Sequence, residues 1–331
     1  MRDAGDIREA MLRVLAEAGR PMGAAALAER LAVAEVQPRT VRYHLLQLDR
    51  EGFTRRVSRR LGREITEAGR AVVREGAVVR RVGVMSSRIE GMAVAMDFSL
   101  ATGVGTVIAN IGLIGKAQLV RALEDMKHVF VRRLGMGGRI AVAREGEVLA
   151  GVTVPKGQVG VGTVSGATLQ GLLLGRGVPM LARLGGVLEV RDGRPVRMVE
   201  VIEYAGTSLD PLELFIKAGL TQVRLCARTG SGRIGVSFRE IPAMALDRLL
   251  AMRAGLDRHS LGGILAVGRP GQAVLEVPVA ADKVGVVVAA GLNPLAALHE
   301  AGMGMVIHPL AGLADYRLFH SFQGWRERYA G

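Results

Sequence analysis

Eight arginines fall between Gln37 and Arg63, with Asp49 and Glu51 as the only carboxylates among them. This stretch carries +6 of the chain's net +13 in under a tenth of its 331 residues. Arginine at such density suits one chemistry above others: charge-assisted hydrogen bonds to phosphate oxygens, and two-point contacts to a guanine edge. The other reactive residue types offer less. His44, His128, His259, His299, His308 and His320 form no H-x-x-x-H or H-x-H pair, and none stands at ligand spacing from a carboxylate, so no metal site is expected. Cys226 is the only cysteine, which excludes an intrachain disulfide and fits a reducing cytoplasm. It falls in an apolar run, 223–227, that reads as a strand, and so as a buried, inert thiol. There is no Gly-x-Ser-x-Gly elbow and no phosphate-binding P-loop. Gly230, Gly232 and Gly235 match the spacing of the dinucleotide motif, but an apolar alternating stretch follows where that motif needs a helix. The sequence therefore supports no catalytic residue, no metal and no cofactor, and an enzyme is not expected.

The elements needed to position the arginines are legible around them. Pro38 can open a helix, since the first helical N–H needs no partner. Val41, Leu45 and Leu48 then share one narrow face, Arg39, Tyr43 and Arg50 take the opposite one, Arg42 and Gln47 flank it, and Gly52 stops the helix. Residues 53–57 and 63–66 read as two short strands joined by a tight turn around Leu61 and Gly62. Ile7, Met11 and Leu15 mark a first helix ended by Gly19-Arg20-Pro21. Residues 24–31 form a short Ala-rich second helix and 34–38 a turn. A capped helix follows from Thr66 to about Glu75. Helix, turn, helix and basic hairpin in that order make a winged helix-turn-helix over residues 1–78, expected to bind double-stranded DNA. Arg39, Thr40, Arg42, Tyr43 and Gln47 are placed to meet base edges or adjacent phosphates. Arg50 is placed as a backbone contact, and Arg55, Arg56, Arg59, Arg60 and Arg63 as phosphate anchors. The same small domain could alternatively bind RNA or mediate only protein contacts.

From residue 79 to 331 the texture is Val-, Ile-, Leu- and Gly-rich. Strands are expected at 106–111, 187–190, 196–202 and 223–227, and helices at 116–130, 211–218, 244–254 and 294–301, without strict alternation, so the class is α+β. The uncharged runs 98–115 and 157–175 are rich in Gly, Ser and Thr and read as strands and turns, so no membrane span is expected; nor is the charged N-terminus expected to act as a signal peptide. An internal duplication runs through this half. Gly137-Gly138 with Gly146 aligns with Gly262-Gly263 and Gly271. Val159, Gly160 and Val161 align with Val284, Gly285 and Val286. A strand–helix–strand–strand–helix unit thus occurs near 105–180 and again near 232–305, with 180–231 inserted between them. Two such units commonly pack about a pseudo-two-fold axis, and the cleft between them is a natural ligand site. Asp210-Pro211 and Asn293-Pro294 read as paired helix starts, the Asp or Asn acting as cap.

Seven separated motifs give the second domain a resemblance. They are 86–90 (SSRIE), 154–163 (VPKGQVGVGT), 184–189 (LGGVLE), 206–213 (GTSLDPLE), 227–232 (ARTGSG), 238–242 (FREIP) and 291–294 (GLNP). With the winged helix in front, they resemble the NrpR family of nitrogen-regulatory repressors in the same order along nearly the whole chain. The resemblance implies repression of nitrogen-assimilation genes, binding to palindromic operators as an oligomer, expected here as a homodimer, and release by 2-oxoglutarate as effector. Such a dianion needs Arg or Lys with hydroxyl or backbone donors. Arg239, Arg183 and Arg228 are the first choices, with Lys156, Ser165, Thr207, Thr229 and Ser231 as partners. A regulator of another pathway answering to a different small acid is the competing reading, and an enzyme tethered to DNA a more distant one.

Overall fold

The computed structural model describes residues 4–31, 37–58, 60–79 and 83–329. The chain divides into two compact units, Met1–Val82 and Gly83–Gly331. In the first, α1 (Ala4–Ala18), α2 (Ala24–Arg30) and α3 (Pro38–Arg50) precede a hairpin of β1 (Thr54–Ser58) and β2 (Gly62–Ile65), and α4 (Glu67–Val79) closes the unit. Met11, Leu15, Leu27, Val41, Leu45, Leu48 and Ile65 form its core. Pro38 takes the first turn of α3, and Gly52 at φ +78° lets the chain turn back so that Phe53 N–H reaches the Leu48 carbonyl at 2.9 Å. Gly62 is required for a different reason. A Cβ there would sit 2.1 Å from the Met22 carbonyl oxygen, where Met22 and Arg63 exchange backbone hydrogen bonds and so attach the wing to the segment before α2. Thr66 caps α4 through its hydroxyl, which accepts from Gly69 N–H. The turn expected at 34–38 lies largely outside the described residues.

The second unit begins with α5 (Val84–Ala95), β3 (Thr106–Gly115), α6 (Leu119–Val131), β4 (Arg139–Ala143), the small hairpin β5 (Val148–Leu149) and β6 (Val152–Thr153), β7 (Gln158–Val164) and α7 (Thr168–Leu174). β8 (Leu181–Arg191), β9 (Arg194–Glu203), α8 (Pro211–Lys217) and α9 (Val223–Thr229) follow. Then come β10 (Gly232–Pro242), α10 (Leu246–Arg258), β11 (Ile264–Val267), β12 (Lys283–Ala289), α11 (Asn293–Glu300), β13 (Val306–Asp315), β14 (His320–Ser321) and α12 (Trp325–Tyr329). The run β3–α6–β4–β7–α7 recurs as β10–α10–β11–β12–α11, which is the duplication. Two departures stand out. Residues 223–227 form the helix α9, not a strand; the run is apolar but ends in Arg228 and in Gly230 at φ +88°, a helix stop. Residues 168–174, inside a run read as strands and turns, form α7, whose side chains from Thr168 to Leu173 are all buried.

The sheets show what the sequence does not. One runs β13-β3-β7-β4-β14, the other β11-β12-β10-β8-β9. β8 follows the first repeat but pairs with β10 of the second, while β13 follows the second and pairs with β3 of the first. The repeats have exchanged a strand. Their contact is closest at the loops leading into α7 and α11, where a Cβ on Gly291 would lie 1.9 Å from the Val164 carbonyl oxygen. Asn293 locks the same region. It lies inside α11, not at its cap. Its Oδ1 accepts from Gly235 N–H, and its Nδ2 donates to the carbonyls of Gly235 and Leu134. Asp210, by contrast, does cap α8, accepting from Leu212 and Glu213 N–H. Gly291→Ala should therefore lower the free energy of unfolding of the second unit by about 2 kcal/mol or more, since backbone must move. Gly304→Ala, with nothing within 4 Å of the added carbon, should stay within about 0.5 kcal/mol; chemical denaturation checks both.

Candidate functional site

In the first unit α3 buries Val41, His44, Leu45 and Leu48 and leaves Arg39, Thr40, Arg42, Tyr43 and Arg50 exposed on its other side. His44 joining the buried face is the one change from the expected pattern. Gln47 is half-buried and donates to the Tyr43 hydroxyl at 2.9 Å, so these two side chains form one polar surface. On the wing Arg56 and Arg60 are exposed, and Arg55 is exposed with its Nε 2.6 Å from Glu64. Arg59 lies outside the described residues. Arg63 is differently placed: its Nε meets Asp49 Oδ2 at 2.6 Å, and Thr54 donates to the other oxygen of the same carboxylate. It fastens the wing to the end of α3 and is the least free of the arginines.

In the second unit a cavity lies where the exchanged strands and the loops before α7 and α11 meet. Asn110 and Ser165 come from the first repeat, Ser237, Arg239 and Gly291 from the second, and Tyr204 and Asp210 from the insert. Asn110 and Ser237 stand at matching positions on the matching strands β3 and β10. The Arg239 side chain is fully buried, its residue only 2% exposed, and no carboxylate pairs with it among the described residues. Nε donates to Ser237 Oγ at 3.1 Å and Nη1 to Gln170 Oε1 at 2.8 Å. Its second terminal nitrogen has no hydrogen bond among the described residues. Burial lowers the pKa of this guanidinium, while Tyr204 opposes the shift. Burial likewise pushes Asp210 up to about 6 despite the two α8 N–H donors, and pushes the Tyr204 hydroxyl well above its ordinary value. The direct hydrogen-bond partners of this buried cation are neutral dipoles, a deficit that an anion placed against it would relieve. The cavity is small, about 20 Å3, room for one or two waters.

Of the residues nominated from the sequence, Arg239 and Ser165 are brought together here; the others do not line the cavity. Arg183 is spent on Glu240 and on the Pro278 carbonyl, both at 2.6 Å. Lys156 and Arg228 are exposed on the surface. Thr207 closes a turn with Leu209, and Thr229 and Ser231 stabilise the turn after α9. Asn110, Tyr204, Asp210 and Ser237 were missed. The one available signal was the duplication, which puts Asn110 and Ser237, both polar, at equivalent places in matching strands. Cys226 is buried and its thiol raised to about 11, which makes it a poor nucleophile. No group of three metal-ligating side chains occurs among the described residues, and no described helix is long and apolar enough to cross a membrane.

Residues 82–321 match the family described as NrpR regulatory domains NRD1 and 2, and residues 9–73 match the Ribonuclease R winged-helix domain. The chain belongs to the NrpR family. It is 30% identical over 309 residues to the global nitrogen regulator NrpRI of Methanosarcina mazei, covering 93% of this chain and 95% of that protein. It is 28% identical to the global nitrogen regulator NrpR of Methanococcus maripaludis over 92% of this chain but only 53% of that protein, so it spans about half the length of that relative. The crystal structure of a nitrogen repressor-like protein from Methanococcus jannaschii superposes with a TM-score of 0.61 at 24% identity, over 72% of this chain and 98% of that one, and shows the same fold. The chain is thus a nitrogen-related transcriptional regulator with a winged helix ahead of an NrpR regulatory domain.

Asp210 yields a pH prediction. Its folded pKa lies above its unfolded value of about 3.8, so its contribution to stability is fully present below that value and is lost as pH rises through about 6. The loss should reach ~3 kcal/mol by pH 8. Asp210→Asn, which keeps the cap, should flatten this part of the pH–stability profile measured by urea unfolding.

Proposed function

We propose that this chain represses nitrogen-assimilation genes by binding palindromic operator DNA as a homodimer, and that 2-oxoglutarate releases it. The observation that carries the effector half is the buried, carboxylate-free Arg239 at the junction of the two repeats in an NrpR regulatory domain. One carboxylate of 2-oxoglutarate would meet the free terminal nitrogen of Arg239, with Ser165, Ser237 and Asn110 supplying hydroxyl and amide donors. A five-carbon dianion does not fit a cavity of about 20 Å3, so it must bind an opened arrangement of the repeats. That requirement supplies the differential affinity without which a ligand shifts nothing. Coupling of 1–3 kcal/mol, roughly 5–150-fold in DNA affinity, is the usual range for such linkage. Operator reading falls to Arg39, Thr40, Arg42, Tyr43 and Gln47, with Arg50, Arg55, Arg56 and Arg60 on phosphates. Two copies related by a two-fold axis would present their α3 helices to half-sites about 34 Å apart.

The test is a DNA titration with the full chain on the segment upstream of a nitrogen-assimilation gene, with and without millimolar 2-oxoglutarate. Specific binding weakened by 2-oxoglutarate is expected. Arg239→Gln should keep the DNA affinity and lose the response. Arg39→Ala should weaken specific binding by about 1–3 kcal/mol. Specific binding indifferent to 2-oxoglutarate but sensitive to another small acid would assign the regulator to a different pathway. Equal binding to RNA of the same sequence would remove the duplex-DNA reading.

A further inference from the structure

A second and larger opening in the regulatory unit shares no lining residue with the Arg239 cavity. It is a groove of about 710 Å3, within the range of small-molecule sites, formed where the C-terminal ends of α6 and α10 come together with the segment before α12. Lys127, Arg133 and Arg253 line it, all exposed and without an ion pair among the described residues, against one carboxylate, Asp257. The half-buried Phe130 ring, stacked on Phe322 at 4.3 Å between centroids, lies along it.

The backbone at the rim adds an independent observation. α6 and α10 both end in the same motif, in which the residue after the cap is left-handed. Leu134 N–H bonds to the Val129 carbonyl after α6, and Leu261 N–H to the Leu256 carbonyl after α10. Glycine is favoured at the left-handed position because it has no Cβ to clash. Gly52, Gly177, Gly219, Gly230 and Gly302 hold positive φ after α3, α7, α8, α9 and α11. After α6 and α10 the residues are instead Arg133 at φ +55° and Ser260 at φ +52°. These two occupy equivalent places in the two repeats, and both line this groove. Both side chains thus hold a left-handed conformation beside the unpaired cations of the groove.

We propose that the groove binds a nucleoside phosphate. Arg133, Lys127 and Arg253 hold the phosphates, Ser260 donates its hydroxyl, and the base lies on the Phe130 ring. The size of the groove and its aromatic wall favour a nucleotide over a bare phosphate, and the excess of arginine matches the charge. The site would make the regulator answer to a second metabolite besides the one at Arg239.

The experiment is calorimetric titration of the full chain with ADP and, separately, with inorganic pyrophosphate. ADP should bind saturably with a Kd below about 1 mM and pyrophosphate at least about tenfold more weakly. Arg133→Gly should weaken ADP binding by about tenfold or more and also raise the Tm by about 2–4 °C, since it removes backbone strain. Loss of binding therefore could not be blamed on unfolding. Arg253→Ala should weaken ADP similarly, and Arg239→Gln should leave it unchanged. Absence of saturable ADP binding, binding unaltered in Arg133→Gly, or pyrophosphate binding as tight as ADP would each overturn the proposal.

Discussion

Each repeat of the regulatory unit gives up a strand to the other. β8, a strand of 11 residues, completes the sheet built on β10, and β13, a strand of 10 residues, completes the sheet built on β3. Neither five-stranded sheet is complete within one repeat, and the two halves form one compact unit despite their duplication. The same exchange brings polar residues of both halves to one buried point. Gly291 permits the approach, Asn293 satisfies the backbone groups it exposes at Gly235 and Leu134, and Arg239 is left at the centre with neutral partners.

A fully buried guanidinium without a counter-ion is held against its own desolvation cost by the surrounding packing. Ser237 and Gln170, both neutral, meet two of its nitrogens. On the proposed function, the closed state leaves this cation without a paired anion, and the open state is the one that a bound anion satisfies. Because residues of both repeats line the cavity, occupancy would be felt by the placement of one repeat against the other.

The winged-helix unit uses its charge unevenly. Asp49 ties Arg63 and Thr54 to the end of α3, so one arginine and one carboxylate of the basic stretch maintain the angle between helix and wing. Arg39, Arg42, Arg56 and Arg60 remain exposed. The charge run is therefore both an exposed basic surface and, at one corner, part of the fold.

Local patterns carried much of this into the sequence. Pro38, the 41–45–48 face, Gly52 and the Arg-rich hairpin determine the winged helix through interactions within a few residues of one another, and the duplication is a repeat of letters. The arginine that proves to be buried could be named from its motif. What the tertiary structure decided are matters of long-range pairing. No local signal separates a strand that stays with its repeat from one that crosses, and an apolar run such as 223–227 fits a buried strand or a buried helix until its neighbours are known. Asn293 looks like a cap beside Pro294, and only the approach of β10 and of the loop after α6 gives its amide three other partners. Asn110, Tyr204, Asp210 and Ser237 lie far apart in sequence and come to line one cavity only in the tertiary structure.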